Sequence, residues 1–202
     1  DGDIGRQLDK SFQKTNGLKI LGFGEIGFRH ITNNTRPVKV PADLKGLKLR
    51  TPGSPGRIMA FKMLGANPIS MNIGELYLAM QQGVIDGQEN PFGNINKWKW
   101  YEVQKYISLS RHVYTPITFV MNLKKYNSLT SAQRAAVDRA AMRAEGASRQ
   151  YGTDNDANLL GQIKAKSKGK VKFNNIDSAA FQKAAIPIAK SIAKLVGDEA
   201  FV

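Results

Sequence analysis

The sequence predicts an α/β fold with mainly parallel strands, the later part of a larger two-lobed protein. Three observations predict it. Short strand patterns alternate with helix patterns from about residue 44 to residue 90, and such alternation winds a parallel sheet. An almost unbroken helical pattern then runs from Ser131 to about Lys166. It exceeds what one small lobe needs, so it crosses two lobes or bends. Finally, the chain opens with one short helix and goes straight into a strand, leaving the long helix little to lie against on one side.

Taken in order, "LKILGFGEIGFRHIT" reads as a strand, a glycine turn and a second extended piece. Its "GFGEIG" is not a dinucleotide fingerprint, because Phe28 to Thr32 looks extended where a helix is required. Pro37 and Pro41 stiffen the next connection, and "ADLKG" is a helical turn ended by Gly46. "LKLRT" alternates as a strand does, and Pro52 with Gly53 stops it. "SPGRIMAFKMLG" carries helix signals: Ser54 as cap, Pro55 at the first helical position and Gly65 as stop. "NPISM" is a short strand, "NIGELYLAMQQG" a helix, and "VIDGQENP" a strand passing into a turn. "YISLSRHVYTPITFVMN" is a longer strand region in which Pro116 marks an edge, bulge or crossing. Thr130 or Ser131 caps the long helix, and Gly146 and Gly152 are candidate kinks. "KVKFNN" is a strand, and a last helix carries Pro187.

Composition narrows the chemistry. The 202 residues include no cysteine, which excludes thiolate catalysis, disulfides and cysteine-held zinc. Lys and Arg number 30 against 16 Asp and Glu, a formal charge of +14 that favours anionic partners. The lysines are spread along the chain without a nucleic-acid motif, so a solvated basic surface is the plain reading and nucleic acid is not expected. No apolar run approaches the roughly 18 residues a membrane span needs. His30 and His112 are the only histidines and lie in no metal-ligand spacing, and there is no GxSxG. No metal and no cofactor are expected. Glu75, Asp86 and Glu89 are acids near the cleft end; Asp86 and Glu89 are more simply read as caps, ion pairs and water-mediated ligand contacts than as a catalytic pair, so an enzyme is not expected.

Ligands of open α/β sheets bind beyond the carboxyl ends of the strands. Three inferred strands end there in polar residues: Arg29, Arg50 and Asn90. Arg50 is the strongest candidate, since a guanidinium fork grips a carboxylate with two parallel hydrogen bonds. Its plain alternative is a surface arginine on an edge strand. For Arg29 the alternative is an ion pair with Glu25 or Asp86, and for Asn90 it is turn chemistry before a proline. Ile73, just before a helix, is a core residue by default and a pocket-wall candidate. Of Trp98 and Trp100, one ring is expected in the core and the other at a lobe contact.

These same stretches carry a resemblance. "PADLKGLKLRTPGSP", "LGANPISMNIGELYLAMQQGVIDGQENP" and "YEVQKYISLSRHVY" are similar to the solute-binding proteins of tripartite ATP-independent periplasmic (TRAP) transporters, of the C4-dicarboxylate-binding type. The resemblance covers nearly the whole chain. It implies two α/β lobes of a periplasmic binding protein, joined by strands and a long helix, that close on one small organic acid. It implies that Arg50 pairs with the ligand carboxylate, that Arg29 is a second ligand arginine, and that Asn90 and Ile73 complete the site. Ile73 stands where some sialic-acid binders carry phenylalanine, a departure that argues against sialic acid and leaves a smaller acid open. The partners implied are a dicarboxylate, monocarboxylate or sugar acid and the membrane subunits of a permease driven by an ion gradient. The location implied is the periplasm, with a signal peptide in the precursor. The chain is expected to lack the N-terminal part of such a protein. Residues 1–30 are expected as a remnant of the first lobe with the approach to the hinge, residues 31–120 as the second lobe with the ligand arginine, and residues 121–202 as the long helix with the last strand and helix. A sensory binding module and an enzyme acting on a small acid are the alternatives.

Overall fold

The computed structural model describes residues 2–197. The chain divides into two compact units, one of Asp1–Gly27 with Tyr114–Ala157 and the other of Phe28–Val113 with Asn158–Val202. Residue 1 and residues 198–202, at the ends of the outer expected stretches, lie outside the described residues.

The first unit contains α1 (Gly2–Asn16), the early part of β1 (Leu18–Asn33), β6 (Tyr114–Asn122), α5 (Leu123–Ser128) and most of α6 (Ser131–Lys166). β6 pairs with β1. Asp9 on α1 accepts from Lys19 Nζ at 2.6 Å and from the Ile20 N–H at 2.8 Å, which ties the helix to the strand that follows. Gly22 and Gly24 of "GFGEIG" let α6 approach β1. A Cβ at Gly24 would lie 2.7 Å from Ser148 Oγ and 2.9 Å from the Phe119 ring. Gly152 likewise leaves room for the Glu25 side chain. Thr130 caps α6 as expected: its Oγ1 accepts from the Gln133 N–H at 3.3 Å, and Gln133 Oε1 accepts from the Thr130 N–H at 2.9 Å.

The second unit is a mixed sheet flanked by helices. Its strands are the end of β1, β2 (Lys48–Thr51), β3 (Asn67–Ser70), β4 (Gly87–Pro91), β5 (Tyr106–Leu109) and β7 (Lys172–Asn175). Their order is β3-β2-β4-β1-β5-β7. β2 is parallel to β3 and β4, and β5 is parallel to β7, but β1 is antiparallel to both neighbours. One core cluster gathers Ile31, Leu49 and Phe61 of α2 (Pro55–Met63) with Phe181 of α7 (Ser178–Val196). The other gathers Leu76 and Met80 of α3 (Leu76–Gln81), Phe92 and Ile95 of α4 (Phe92–Lys97), Trp100, Ile107 and Ile163 of α6. Trp100 is fully buried while Trp98 is exposed.

Two expectations need correction. Residues 18–33 form one continuous strand, not a strand, a loop and a second piece: Gly22 and Gly24 serve helix packing within the strand, and the positive φ of +99° at Gly27 bends it without ending it. And "VID" is not the strand. The strand is the polar run Gly87–Pro91, buried along its whole length. Asp86 ends the preceding bend by accepting from the Lys48 N–H at 2.8 Å. Gly87 is obligatory, since a Cβ there would fall 1.9 Å from the Thr32 carbonyl oxygen. The polar groups do not crowd around the end of a buried strand; they are that strand. Arg29, correspondingly, lies inside β1 and not at a strand end.

Candidate functional site

The pairing of β1, β2 and β4 sorts the polar residues onto two faces. His30 faces Asn90, Thr32 faces Gln88, and Arg50 is level with Gln88. Residues directly paired project on the same side of a sheet, so Arg50, Asn90, Gln88 and His30 share one face. Arg29, Ile31 and Glu89 project on the other.

On the second face the charges are closed among themselves. Arg29 donates through Nε to Glu89 Oε2 at 2.5 Å, and through Nη2 to Oε1 at 3.0 Å and to the Glu89 carbonyl at 2.5 Å. Arg57 Nη1 lies 3.2 Å from Oε1, and His112 Nε2 lies 3.1 Å from Oε2. Ser110 Oγ holds His112 Nδ1 at 2.7 Å. Burial alone would push the Glu89 carboxyl up. The hydrogen bonds from His112 and Arg29, and the adjacent charge, outweigh burial and hold it at about 2. Glu89 is therefore an anion throughout the physiological range.

Arg50 stands in a different setting. It is 6% exposed, like Arg29. Its Nε donates to the Met71 carbonyl at 2.9 Å, which orients the fork, and among the described residues it makes no ion pair. Burial pulls its pKa down; Glu89 opposes that, while Arg29 and Arg57 add to it. Met71 leads into the turn of Ile73, which is half-buried and packs against the cluster of Leu76, Ile85 and Phe92. Asn90 is 2% exposed. Its Nδ2 donates to Gln88 Oε1 at 2.5 Å, and its Oδ1 accepts from Asn94 Nδ2 at 2.8 Å. His30 stacks on Phe92 at 4.0 Å, and burial drives its pKa down to about 3, so it is neutral.

Arg50 and Asn90 thus share a face, with Ile73 reached through Met71, while Arg29 belongs to the charge cluster on the other face. Sequence reasoning missed Arg57 and His112, which lie 32 and 23 positions from Glu89 and gave no local signal. Glu89 was visible as an acid in a polar run, but its arginine partner was not. Beside Arg57, His112 and Phe61 a cavity of about 600 Å³ opens between α2 and α7. Among the described residues no group of His, Cys, Asp and Glu is placed to hold a metal ion. No helix among them is long and apolar enough to cross a membrane.

Comparison with known proteins agrees with this architecture. The model of the family described as bacterial extracellular solute-binding protein, family 7, matches residues 1–195. The 2,3-diketo-L-gulonate-binding periplasmic protein YiaO of Escherichia coli K12 is 38% identical over 91% of this chain and 55% of its own length. A TRAP periplasmic solute binding protein from Bordetella bronchispeptica, with density interpreted as pantoate, superposes with a TM-score of 0.88 at 39% identity, covering 96% of this chain and 64% of its own. Another from Polaromonas, bound to D-erythronate, gives a TM-score of 0.89 at 37% identity, covering 98% and 64%. The chain spans 50% to 59% of the length of the first curated relatives it matches.

Proposed function

Because the chain belongs to family 7 of the bacterial extracellular solute-binding proteins, we propose that the protein captures a small organic acid by its carboxylate in the periplasm and delivers it to a TRAP-type permease. One observation carries the choice of anchor: Arg50 is a buried guanidinium, oriented by a backbone carbonyl and without an acid of its own among the described residues. A buried unpaired cation is costly, and a ligand carboxylate supplies the missing charge in bidentate geometry. Asn90 on the same face adds a hydrogen-bond donor, and Ile73 adds apolar wall. Arg29, the second ligand arginine that the resemblance implied, keeps its Nε and Nη2 on Glu89 on the other face, and we assign it to that cluster and not to the anchor. Of residues 31–120, the expected second lobe, 31–113 fall in the unit that carries this anchor and 114–120 in the other. Residues 1–30 lead out of the first lobe, and residues 121–202 bring the long helix and the last strand and helix.

The ligand class follows from chemistry shared with the relatives. Diketogulonate, pantoate and erythronate are all small acids with hydroxyl or keto groups beside the carboxylate. We therefore place this protein's ligand among hydroxylated aliphatic acids. The step is binding and release, with no bond made or broken, so the protein is not an enzyme. Isothermal calorimetry of the full-length protein against succinate, malate, pyruvate, lactate, D-erythronate and hexuronates tests this. A tight signal for one hydroxy acid, weakened in Arg50→Ala by at least about 2 kcal/mol, is expected. Equal affinity in wild type and Arg50→Ala contradicts the anchor.

A further inference from the structure

Behind Asn90 lies a row of buried polar side chains that capture of a carboxylate does not by itself require. Gln104 Nε2 donates to the Val103 carbonyl at 3.1 Å and to the Asp86 carbonyl at 3.3 Å. Thr32 Oγ1 donates to Gln104 Oε1 at 2.7 Å. Gln88 Nε2 donates to Thr32 Oγ1 at 3.0 Å, and Asn90 Nδ2 donates to Gln88 Oε1. Thr32 and Gln88 are fully buried, and Gln104 and Asn90 nearly so.

The direction of this row is dictated from its far end. Backbone carbonyls only accept, so the Gln104 carboxamide must turn its NH2 to them and its oxygen to Thr32. The single Thr32 proton is then committed to Gln104, which leaves the Thr32 oxygen as an acceptor. Gln88 must turn its NH2 to Thr32 and its oxygen to Asn90. Asn90 in turn must present its NH2 to Gln88, and Asn94 claims its oxygen. Each amide would otherwise have two flips of nearly equal shape. The anchored row leaves one flip for Asn90, in which a second N–H is unspent and the oxygen is engaged. The opposite flip would set a carbonyl oxygen against a carboxylate held at Arg50, a repulsive contact.

We propose that Thr32, Gln88 and Gln104 are positioning residues that lock the Asn90 carboxamide as a hydrogen-bond donor to the ligand carboxylate. This rests on the acid-binding function proposed above. Polar rows of this kind stay buried only when every member is satisfied, and cutting one link frees the rest.

The test uses the full-length protein and D-erythronate as probe. Thr32→Val keeps the volume and removes the hydroxyl, and Thr32→Ser keeps the hydroxyl. The Val variant is expected to bind about five- to tenfold more weakly and the Ser variant like wild type. The decisive arm is a double-mutant cycle: in an Asn90→Ala background, Thr32→Val should no longer change affinity. An equal loss in both backgrounds would reduce Thr32 to a structural role and overturn the proposal. If wild type does not bind D-erythronate, that failure falls on the ligand class, and a ligand-free arm decides this one. Side-chain amide protons of Asn90, followed by NMR, should exchange faster in Thr32→Val and slowly in Thr32→Ser. Unchanged exchange in Thr32→Val overturns the row. Gln104→Met cuts it one link further back and serves if Thr32→Val does not fold.

Discussion

Arg29 and Arg50 are both 6% exposed and both sit on strands of one sheet. Arg29 makes three hydrogen bonds to Glu89, whose carboxylate also meets Arg57 and His112. Arg50 makes one, to a carbonyl, and meets no acid among the described residues. The difference teaches what burial of a charge means in each place. A cation closed onto a counter-charge belongs to the fold, and removing its partner exposes a cost of several kcal/mol. A cation left open in the same sheet is costly unless a partner comes from outside, as proposed for Arg50. The sequence put Arg50 ahead of Arg29 only by its strand setting; their partners separate them physically.

The largest expected effect breaks the closed side. Glu89→Gln leaves Arg29 and Arg57 without their counter-charge and is expected to cost about 3–5 kcal/mol in urea unfolding. The same variant tests the pH linkage. Glu89 is held at about 2 against an ordinary 4.5. Its contribution is therefore complete above pH 4.5 and is lost as the pH falls from there toward 2. Wild type should show that loss and Glu89→Gln should not.

A smaller effect sharpens the open face. His30 titrates near 3 instead of 6.5 because burial penalises its charge. The unfolded chain takes up a proton below pH 6.5 that the folded chain refuses until about 3, so stability falls as the pH drops through this window. At about pH 5 the loss is about 2 kcal/mol. His30→Phe should remove that slope, read from pH 6.5 down to about pH 5, above the Glu89 window. The smallest effect lies away from both arginines. Thr130→Ala removes the cap of α6 and should cost about 1 kcal/mol, with no change in affinity for an acid.

Much of the second unit was legible because local rules agreed. Alternation in "LKLRT" placed Arg50 on a strand, and Pro55 and Gly65 bounded a helix. The long helix over Ser131–Lys166 stood out by length alone. What local patterns could not reveal was pairing over distance. "GQEN" reads as a turn because its polar residues need partners, and those partners come from β1, some 60 residues earlier. The same pairing assigns Arg29 to Glu89 and Asn90 to the opposite face. Gly22 and Gly24 of "GFGEIG" were misleading for a similar reason: they answer to Glu145, Ser148 and Phe119, which are remote in the chain.

The most direct test is thermal unfolding of full-length Arg50→Ala beside wild type, each with and without the acid that calorimetry identifies. If Arg50 is an open cation awaiting a ligand, the variant without acid melts at or above the wild-type temperature, and added acid no longer raises it. A variant that melts well below wild type without acid, yet still gains stability from it, would contradict the distinction between the two arginines.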